Sequence, residues 1–220
     1  MELQKTADGS HTLFIPELNE TYHSIHGAIQ ESQHVFIKNG LHYFSDKKTV
    51  SILEVGFGTG LNALLTLLDK QNLAQQVNYV SLEKFPLNLA LIEQLNYTTQ
   101  LKLTVAQTAL FNQLHICEWN KLTSITNNFN LLKIEKDLAD FQYETTFDIV
   151  YFDAFAPEKQ AELWTAEIFS KIYDLLRPNG ILVTYCAKGV VKRTIKSVGF
   201  QLETLPGPPG KREMIRAKKC

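Results

Sequence analysis

A glycine-rich segment links an apolar run, Val50 to Val55, to a leucine-rich stretch. It spans Glu54 to Gly60, with glycines at alternate positions, Gly56, Gly58 and Gly60. Glycines let the chain turn sharply and let a ligand approach the backbone without a Cβ in the way. The dinucleotide pattern G-x-G-x-x-G has its third glycine one residue later, where Leu61 stands here. The Glu54 carboxylate is awkward beside a pyrophosphate but suits the ammonium of a methionine moiety, so the loop favours S-adenosylmethionine over NAD.

Two acidic residues follow later apolar runs. Glu83 follows the second run, and an acid there can accept hydrogen bonds from both ribose hydroxyls of a nucleoside. It can also simply stabilise the start of a helix. Asp137 follows the next run, where its carboxylate can accept from an adenine amino group while Leu138 packs on the ring. Asp140 and Glu135 compete for that role.

A third segment follows the apolar run Phe147 to Phe152 and has the sequence Asp153-Ala154-Phe155-Ala156-Pro157. Attack on a sulfonium methyl needs an amine whose lone pair lies in line with the S–CH₃ bond. An aspartate can accept an amine N–H, orient the nitrogen and help to remove its proton. Phe155 can stack on a planar substrate, and Pro157 keeps the loop rigid. Asp153 can instead be a plain helix N-cap, and Phe155 a core residue.

Predicted strands that alternate with helices position these three segments. Leucines after the glycine loop, and apolar residues from Trp164 to Leu176, repeat at helical spacing. The alternation predicts an α/β, Rossmann-like fold with a mostly parallel, seven-stranded sheet and helices on both faces. Ligands of such sheets bind at the carboxyl ends of the strands. The predicted strands cover residues 50–55, 77–82, 129–134, 147–152, 181–185, 200–205 and 213–217.

The residues before the alternating region are predicted to form a separate N-terminal extension, residues 1–48, followed by one domain, residues 49–220. In the extension, apolar stretches His34 to Ile37 and Leu41 to Phe44 flank Asn39-Gly40. Asn-Gly supplies the positive φ angles of a tight two-residue turn, so we predict a β-hairpin here.

Composition excludes several classes of protein. No apolar run approaches the ~18 residues that cross a bilayer, and the polar N-terminus lacks a signal-peptide pattern. The cysteines are odd in number and fit neither a disulfide framework nor a metal site. We therefore expect no metal, no membrane attachment and a reducing cytoplasm. The three cysteines are Cys117, Cys186 and Cys220.

Charge is distributed unevenly along the chain. The net charge is −1, yet residues 188–220 contain nine Lys and Arg against two Glu, a net of +7, and the remainder has a net of −8. This asymmetry indicates a positive face for a polyanion. A solvated tail and helix face explains it equally well.

Four motifs together point to a known family. They are Phe36-Ile37-Lys38-Asn39-Gly40-Leu41, Leu53 to Asn62, Asp153 to Pro157 with Lys159 and Trp164-Thr165, and Pro209-Gly210-Lys211-Arg212-Glu213-Met214. With them the chain resembles the methyltransferase domain of the bacterial bifunctional tRNA 5-methylaminomethyl-2-thiouridine biosynthesis proteins, and more closely their stand-alone relatives. The resemblance runs from about Val35 to Ala217. The glycine loop is common to many methyltransferases, whereas the third and fourth motifs in combination are more specific.

The resemblance implies a class I S-adenosylmethionine-dependent methyltransferase that methylates the aminomethyl group of a wobble uridine in the tRNA anticodon arm. Asp153 would orient the amine, and Lys211 and Arg212 would line a basic entrance. Asn39, Phe155 and Pro157 are expected on the substrate side. The cofactor site is expected to contain Glu54, Gly56, Phe57, Gly58, Gly60, Asn62 and Glu83, with Asp137 added on its position alone.

The same resemblance implies a dependence on another enzyme. The bifunctional relatives continue into a flavin-dependent oxidase domain that prepares the aminomethyl group. A chain that ends at Cys220 is therefore expected to need a separate enzyme to supply its substrate.

Two other interpretations stay open. An aminopropyltransferase of the spermidine synthase kind has the same fold and an aspartate in the same loop, and it predicts an acidic pocket for a polyamine. A non-catalytic, cofactor-binding partner of a flavin oxidase predicts binding without turnover. Such a partner would have no use for the Asp153 carboxylate.

Overall fold

A computed structural model describes residues 1–69 and 74–220. The chain starts with a small antiparallel sheet, in which the Asp8 carboxylate closes the first turn by accepting the Ser10 backbone N–H at 2.9 Å. An N-terminal antiparallel hairpin is therefore present, as the predicted fold class has it. The three strands are β1 (Glu2–Lys5), β2 (His11–Ile15) and β3 (Glu20–Thr21).

A larger sheet forms the centre of the molecule. Its strands are β4 (Thr49–Val55), β5 (Gln76–Glu83), β6 (Thr123–Thr126), β7 (Phe129–Glu135), β8 (Phe147–Phe152), β9 (Leu176–Thr184), β10 (Gln201–Pro206) and β11 (Glu213–Lys218). They are ordered β10-β11-β9-β8-β4-β5-β7-β6. The five central strands pair in parallel, whereas β6, β10 and β11 pair antiparallel at the two edges.

The mostly parallel α/β sheet predicted from the sequence is confirmed, but the predicted number of seven strands is wrong. The described residues contain eight strands in this sheet. The additional strand, Thr123–Thr126, is a four-residue edge strand that follows a turn and pairs with β7. Its short polar sequence carries no alternating apolar pattern from which a strand could be predicted.

Helices cover both faces of the sheet. They are α1 (Ala28–Ser32), α2 (Leu61–Leu67), α3 (Leu89–Ile92), α4 (Tyr97–Gln100), α5 (Val105–Ile116), α6 (Ala166–Leu175) and α7 (Gly189–Ser197). Helix α5 was not predicted, although Thr104 and Gln107 form a capping box at its start. Thr165 caps α6 by accepting the Ile168 N–H at 3.3 Å.

The hairpin predicted at residues 34–44 is wrong. The chain continues from α1 as a π-helical segment, Gln33–Lys38, and then as a 3₁₀ turn, Leu41–Phe44. Asn39 and Gly40 have φ angles of −96° and −102°, so the positive φ angles of the predicted turn are absent. Three successive residues, Val35 to Ile37, are buried. Burial of consecutive residues is typical of a helix enclosed by protein, whereas a strand with one solvent-exposed face would show alternating burial. Burial of this run against α2 and β9 overrides the local Asn-Gly signal.

The core lies on both faces of the central sheet. Neighbouring residues of β8 alternate between them: Ile149 and Tyr151 face α2 and α5, whereas Val150 and Phe152 face α6 and α7. All four side chains are fully buried. Because both faces are covered, the carboxyl ends of the parallel strands form the accessible edge of the sheet. The boundary at residue 48 stays a prediction.

Candidate active site

A cavity of about 280 Å³ opens at the carboxyl ends of β4, β5, β7 and β8. This volume lies near the lower end of the range for small-molecule sites. The N-terminal sheet and the segment after it form part of the wall through Ile15, Tyr22 and His23. The expected site residues that line the cavity are Gly56, Phe57, Gly58, Asn62, Glu83, Asp137, Asp153 and Phe155.

The glycine loop has the conformation that only glycine adopts easily. Gly56, Gly58 and Gly60 have φ angles of 94°, 49° and 71°. At Gly56 a Cβ would also lie 2.9 Å from the Asp153 carbonyl oxygen. A side chain at this position would therefore push apart the two loops that approach the cavity. Gly60 itself does not line the cavity; it precedes the first residue of α2.

Glu83 ties two backbone segments together at the cavity wall. Its carboxylate accepts the Gly58 N–H at 3.0 Å and the Phe85 N–H at 2.9 Å. Burial raises the pKa of Glu83, and these backbone hydrogen bonds oppose that shift. The carboxylate therefore holds the glycine loop and also faces the cavity, where the predicted partners are ribose hydroxyls.

Asp137 lines the cavity after β7, the strand next to β5. Its side chain accepts the Ala139 N–H at 2.9 Å and pairs with Lys84 at 2.8 Å. The hydrogen bond from Lys84 is the main reason why the pKa of Asp137 lies below its ordinary value. Leu138 is buried and lines the same wall. The expected combination of an acid and an apolar residue for adenine is therefore present, and contact with adenine stays a prediction.

Glu54 lies behind the cavity wall. Its side chain is fully buried and accepts the Ser81 hydroxyl at 2.5 Å. Its second oxygen, Oε1, has no hydrogen-bond partner among the described residues. Burial raises the pKa of Glu54 to about 8. Glu54 is absent from the cavity lining, so any action on a cofactor has to pass through a neighbouring group.

Asp153 lies just beyond β8 and is held by Asn62 of α2. The Asn62 side-chain N–H donates to Asp153 Oδ2 at 2.8 Å, while the buried Asn62 Oδ1 has no partner among the described residues. Burial raises the pKa of Asp153 to about 7; Glu31 adds to this shift, and Asn62 and Lys211 oppose it. The cavity therefore contains a carboxylate that titrates near neutral pH.

Aromatic residues enclose the substrate side of Asp153. The rings of Phe155 and Tyr22 meet edge to face, with their centroids 5.2 Å apart. The Trp164 indole N–H donates to the Phe155 carbonyl at 2.8 Å and fixes the loop. Phe57 also lines the cavity and packs edge to face on Trp119. Pro157 lies in the same loop but outside the cavity lining.

Besides Pro157, three other expected substrate residues, Asn39, Lys211 and Arg212, lie outside the cavity lining. Asn39 donates through its side chain to the His34 carbonyl at 2.7 Å. Lys211 forms an ion pair with the buried Glu31, whereas its neighbour Arg212 is exposed. Lys211 and Arg212 were predicted to line a basic entrance together, but their side chains lie in different surroundings.

Sequence analysis missed residues that the fold brings to the site from distant segments. Tyr22 and His23 line the cavity, and Glu31 and Tyr185 stand next to the Asp153 loop. Burial lowers the pKa of His23 to about 4, so its ring is neutral at pH 7. The short N-terminal strands carry no chemical motif, so no local signal indicated that they cover the site.

Comparison with known proteins assigns the family. A family model described as S-adenosyl-L-methionine-dependent methyltransferase matches residues 72–220. The chain belongs to this methyltransferase family. Its cofactor is S-adenosylmethionine, as the glycine spacing predicted. Asn62 lines the cavity, and its buried Oδ1 is an acceptor without a partner among the described residues, which fits a cofactor that carries an ammonium.

Two curated relatives are similar in sequence to this methyltransferase. The tRNA 5-methylaminomethyl-2-thiouridine biosynthesis bifunctional protein MnmC of Pseudoalteromonas atlantica is 32% identical over 97% of this chain and 33% of the relative. The protein of the same name from Burkholderia thailandensis is 33% identical over 93% of this chain and 33% of the relative. The chain thus spans about a third of the length of these curated relatives.

Solved structures agree with the fold. MNMC2 from Aquifex aeolicus has a TM-score of 0.79 at 27% identity, and the alignment covers all of this chain and 70% of the MNMC2 chain. Spermidine synthase from Thermotoga maritima has a TM-score of 0.59 at 14% identity and covers all of this chain and 72% of its own. At that identity the second likeness shows the fold alone.

Two further findings concern the described residues, 1–69 and 74–220. No group of three or more His, Cys, Asp and Glu side chains in them has the arrangement of a metal site. None of their helices has the length and apolar character needed to cross a membrane.

Proposed function

We propose that this methyltransferase methylates the amine of 5-aminomethyl-2-thiouridine at the tRNA wobble position, giving 5-methylaminomethyl-2-thiouridine. The observation that carries the proposal is Asp153, whose pKa burial raises to about 7 at the cavity wall. Such a carboxylate can accept a proton from an ammonium at neutral pH and release it again. The names of the relatives support this choice of substrate.

The reaction needs one proton to be removed. S-adenosylmethionine, when bound, supplies an electrophilic methyl group on a sulfonium. The aminomethyl group arrives as an ammonium, and Asp153 takes one of its protons, so that the nitrogen lone pair is free. The N–CH₃ bond forms as the S–CH₃ bond breaks, which leaves a secondary ammonium and a neutral thioether. Asp153 then releases its proton to solvent.

Asn62 and the aromatic residues position the reactants in this proposal. Asn62 fixes Asp153 Oδ2 and leaves Oδ1 for the amine. Phe155 and Tyr22 flank the base, and their fixed rings limit its rotation. In the proposal, Asn62 Oδ1 accepts from the cofactor ammonium; its lack of a protein partner among the described residues supports this role.

The proposed tRNA surface contains fewer basic side chains than the net charge of residues 188–220 suggests. Of the basic residues in 188–220, four form ion pairs with carboxylates, and Lys219 donates to the carbonyls of Tyr173 and Leu176. The exposed Arg193, Lys196 and Arg212 form no ion pair within the described residues. We propose that these three bind phosphates of the anticodon arm in the cytoplasm. A separate enzyme would supply the aminomethyl group.

A methyl-transfer assay with labelled S-adenosylmethionine tests the substrate. The acceptors are tRNA that carries 5-aminomethyl-2-thiouridine, the same tRNA with unmodified uridine, and putrescine. We expect label only with the first acceptor, in a nucleoside that co-migrates with methylaminomethyl-thiouridine. Cofactor binding without label in any acceptor would support a non-catalytic partner. A separate reaction contains putrescine and decarboxylated S-adenosylmethionine, and formation of spermidine in it would support the aminopropyltransferase alternative.

A further inference from the structure

The Pro209–Met214 motif contains two neighbouring cations that face different surroundings. Gly210 has a φ of 80°, and a Cβ on it would lie 2.0 Å from the His26 ring. The next residue, Lys211, is half-buried and pairs with Glu31, whereas Arg212 is exposed. The Lys211 N–H donates to the Pro208 carbonyl at 2.9 Å and closes the turn. The backbone therefore separates two residues that charge alone would place together.

Lys211 reaches the Asp153 loop through two contacts. Its ammonium pairs with Glu31 of α1 and lies 4.1 Å from the centre of the Tyr185 ring. The Tyr185 hydroxyl donates at 2.9 Å to the carbonyl of Ala154, the residue after Asp153. A continuous set of contacts therefore runs from Glu31 through Lys211 and Tyr185 to the loop that carries the carboxylate.

Glu31 is suited to anchor this set of contacts. Its side chain is 5% exposed, and its second oxygen accepts the Ser24 N–H at 3.0 Å. A buried carboxylate needs a cation, and Lys211 supplies it. The Lys211 ammonium is thus held by Glu31, whereas a lysine that binds phosphates would have its ammonium free on the surface.

We propose that Lys211 and Glu31 are positioning residues for Asp153, which hold its loop and balance its charge for proton removal from the substrate amine. This inference rests on the proposed function. The two residues act with opposite sign on the carboxylate: Glu31 raises the pKa of Asp153 and Lys211 lowers it. Arg212 is left to bind the polyanion.

Other titratable groups surround Asp153, but they are largely uncharged at pH 7 and so do not offset the charge of its carboxylate. Glu54 faces it from β4, and burial raises the pKa of Glu54 to about 8, so that group is largely protonated at pH 7. His23 is neutral at that pH because burial lowers its pKa to about 4. The tyrosines near Asp153 are neutral too, because burial raises the pKa of each: Tyr79, Tyr97 and Tyr185. Glu31 and Lys211 are therefore the pair of opposite charge that acts on the Asp153 carboxyl.

The first experiment measures the protonation of Asp153 without turnover. Aspartate ¹³Cγ resonances are titrated in the full chain with S-adenosylhomocysteine bound, and the Asp153 signal is assigned with Asp153→Asn. We expect Lys211→Met to raise the titration midpoint by roughly half a pH unit or more, and Glu31→Gln to lower it by a similar amount. The charge-balanced double variant should return toward wild type. Lys218→Met, which removes a cation at the far end of β11, is the matched control and should leave the midpoint unchanged.

The second experiment uses the pH profile of methyl transfer. The acid limb of kcat/KM should move in the same directions as the titration midpoints, and Lys211→Arg should restore it. Midpoints that stay fixed in both single variants would overturn the inference, whatever the substrate. Absence of methyl transfer in every protein, with shifted midpoints, would overturn the proposed function and leave only the electrostatic coupling of Lys211 and Glu31 to Asp153. Loss of S-adenosylhomocysteine binding in Lys211→Met but not in Lys211→Arg, with unshifted midpoints in Glu31→Gln, would show a structural role only.

Discussion

Asn62 donates its side-chain N–H to Asp153 Oδ2 at 2.8 Å, although the two residues are 91 positions apart in the chain. Asn62 is the second residue of the helix after the glycine loop, and Asp153 directly follows β8. Parallel pairing of β4 with β8 brings their carboxyl ends together, so the glycine loop and the Asp153 carboxylate both line the cavity. The account of function depends on this pair.

Asp153→Asn should abolish methyl transfer while it leaves the cofactor site intact. Removal of a general base lowers rates by ~10²–10⁴-fold. The amide keeps the shape of the side chain, so affinity for S-adenosylhomocysteine should stay within a few-fold, measured by isothermal titration calorimetry. Parallel loss of binding and turnover would instead make Asp153 a structural cap.

Wild-type kcat/KM should fall about tenfold per pH unit below neutral pH. Asp153 must be ionised to accept a proton, and burial raises its pKa to about 7, so the active form is lost as the pH falls through that value. The profile is measured with the aminomethyl-tRNA from pH 5.5 to pH 9. An acid limb near the ordinary carboxyl pKa of about 4 would show that no raised carboxylate takes part.

Glu83→Gln should weaken cofactor binding by roughly tenfold, which corresponds to the loss of one charge-assisted hydrogen bond. At saturating cofactor, kcat should change little. Glu135 is the matched control, because it stands opposite Glu83 in the β5–β7 register but is exposed and does not line the cavity. Equal losses of affinity in Glu83→Gln and Glu135→Gln would contradict the ribose contact predicted for Glu83.

In the cofactor-free protein, the free energy of unfolding of Glu54→Gln should increase relative to that of wild type as the pH rises. Burial raises the pKa of Glu54 from 4.5 to about 8, so the folded chain holds a proton that the unfolded chain releases within that window. The free energy of unfolding of wild type therefore falls between about pH 4.5 and pH 8, whereas Gln does not titrate. Urea unfolding at pH 5 and pH 8 measures the difference. Equal pH dependence of the two proteins would mean that Glu54 is not the buried acid described here.

Arg212→Met should raise KM for tRNA with little effect on kcat. Each lost phosphate contact should reduce the slope of log affinity against log salt by roughly 0.7–0.9. Filter binding at several salt concentrations gives the slope for wild type, Arg212→Met and the Lys218→Met control. A slope that matches wild type in Arg212→Met would place the RNA on another surface.

The sequence predicted the parts of the site that depend on strand ends. Gly56, Glu83 and Asp153 each follow an apolar run, and parallel strands bring such positions to one edge. Lys211 could not be placed in this way. Its direction depends on the turn at Gly210 and on Glu31, which is 180 positions away in the chain. The Asn39-Gly40 hairpin failed for the same reason, because tertiary burial of Val35 to Ile37 outweighed a local turn preference.

The most direct test of the account is single-turnover methyl transfer to an anticodon stem–loop that carries one 5-aminomethyl-2-thiouridine. Wild-type protein and Asp153→Asn are compared at pH 7.5 with labelled S-adenosylmethionine, and a stem–loop with unmodified uridine is the control acceptor. The account predicts label on the aminomethyl nitrogen with wild type, none on the control, and a rate at least ~10²-fold lower with Asp153→Asn. Equal rates for wild type and Asp153→Asn, or label on the unmodified stem–loop, would contradict it.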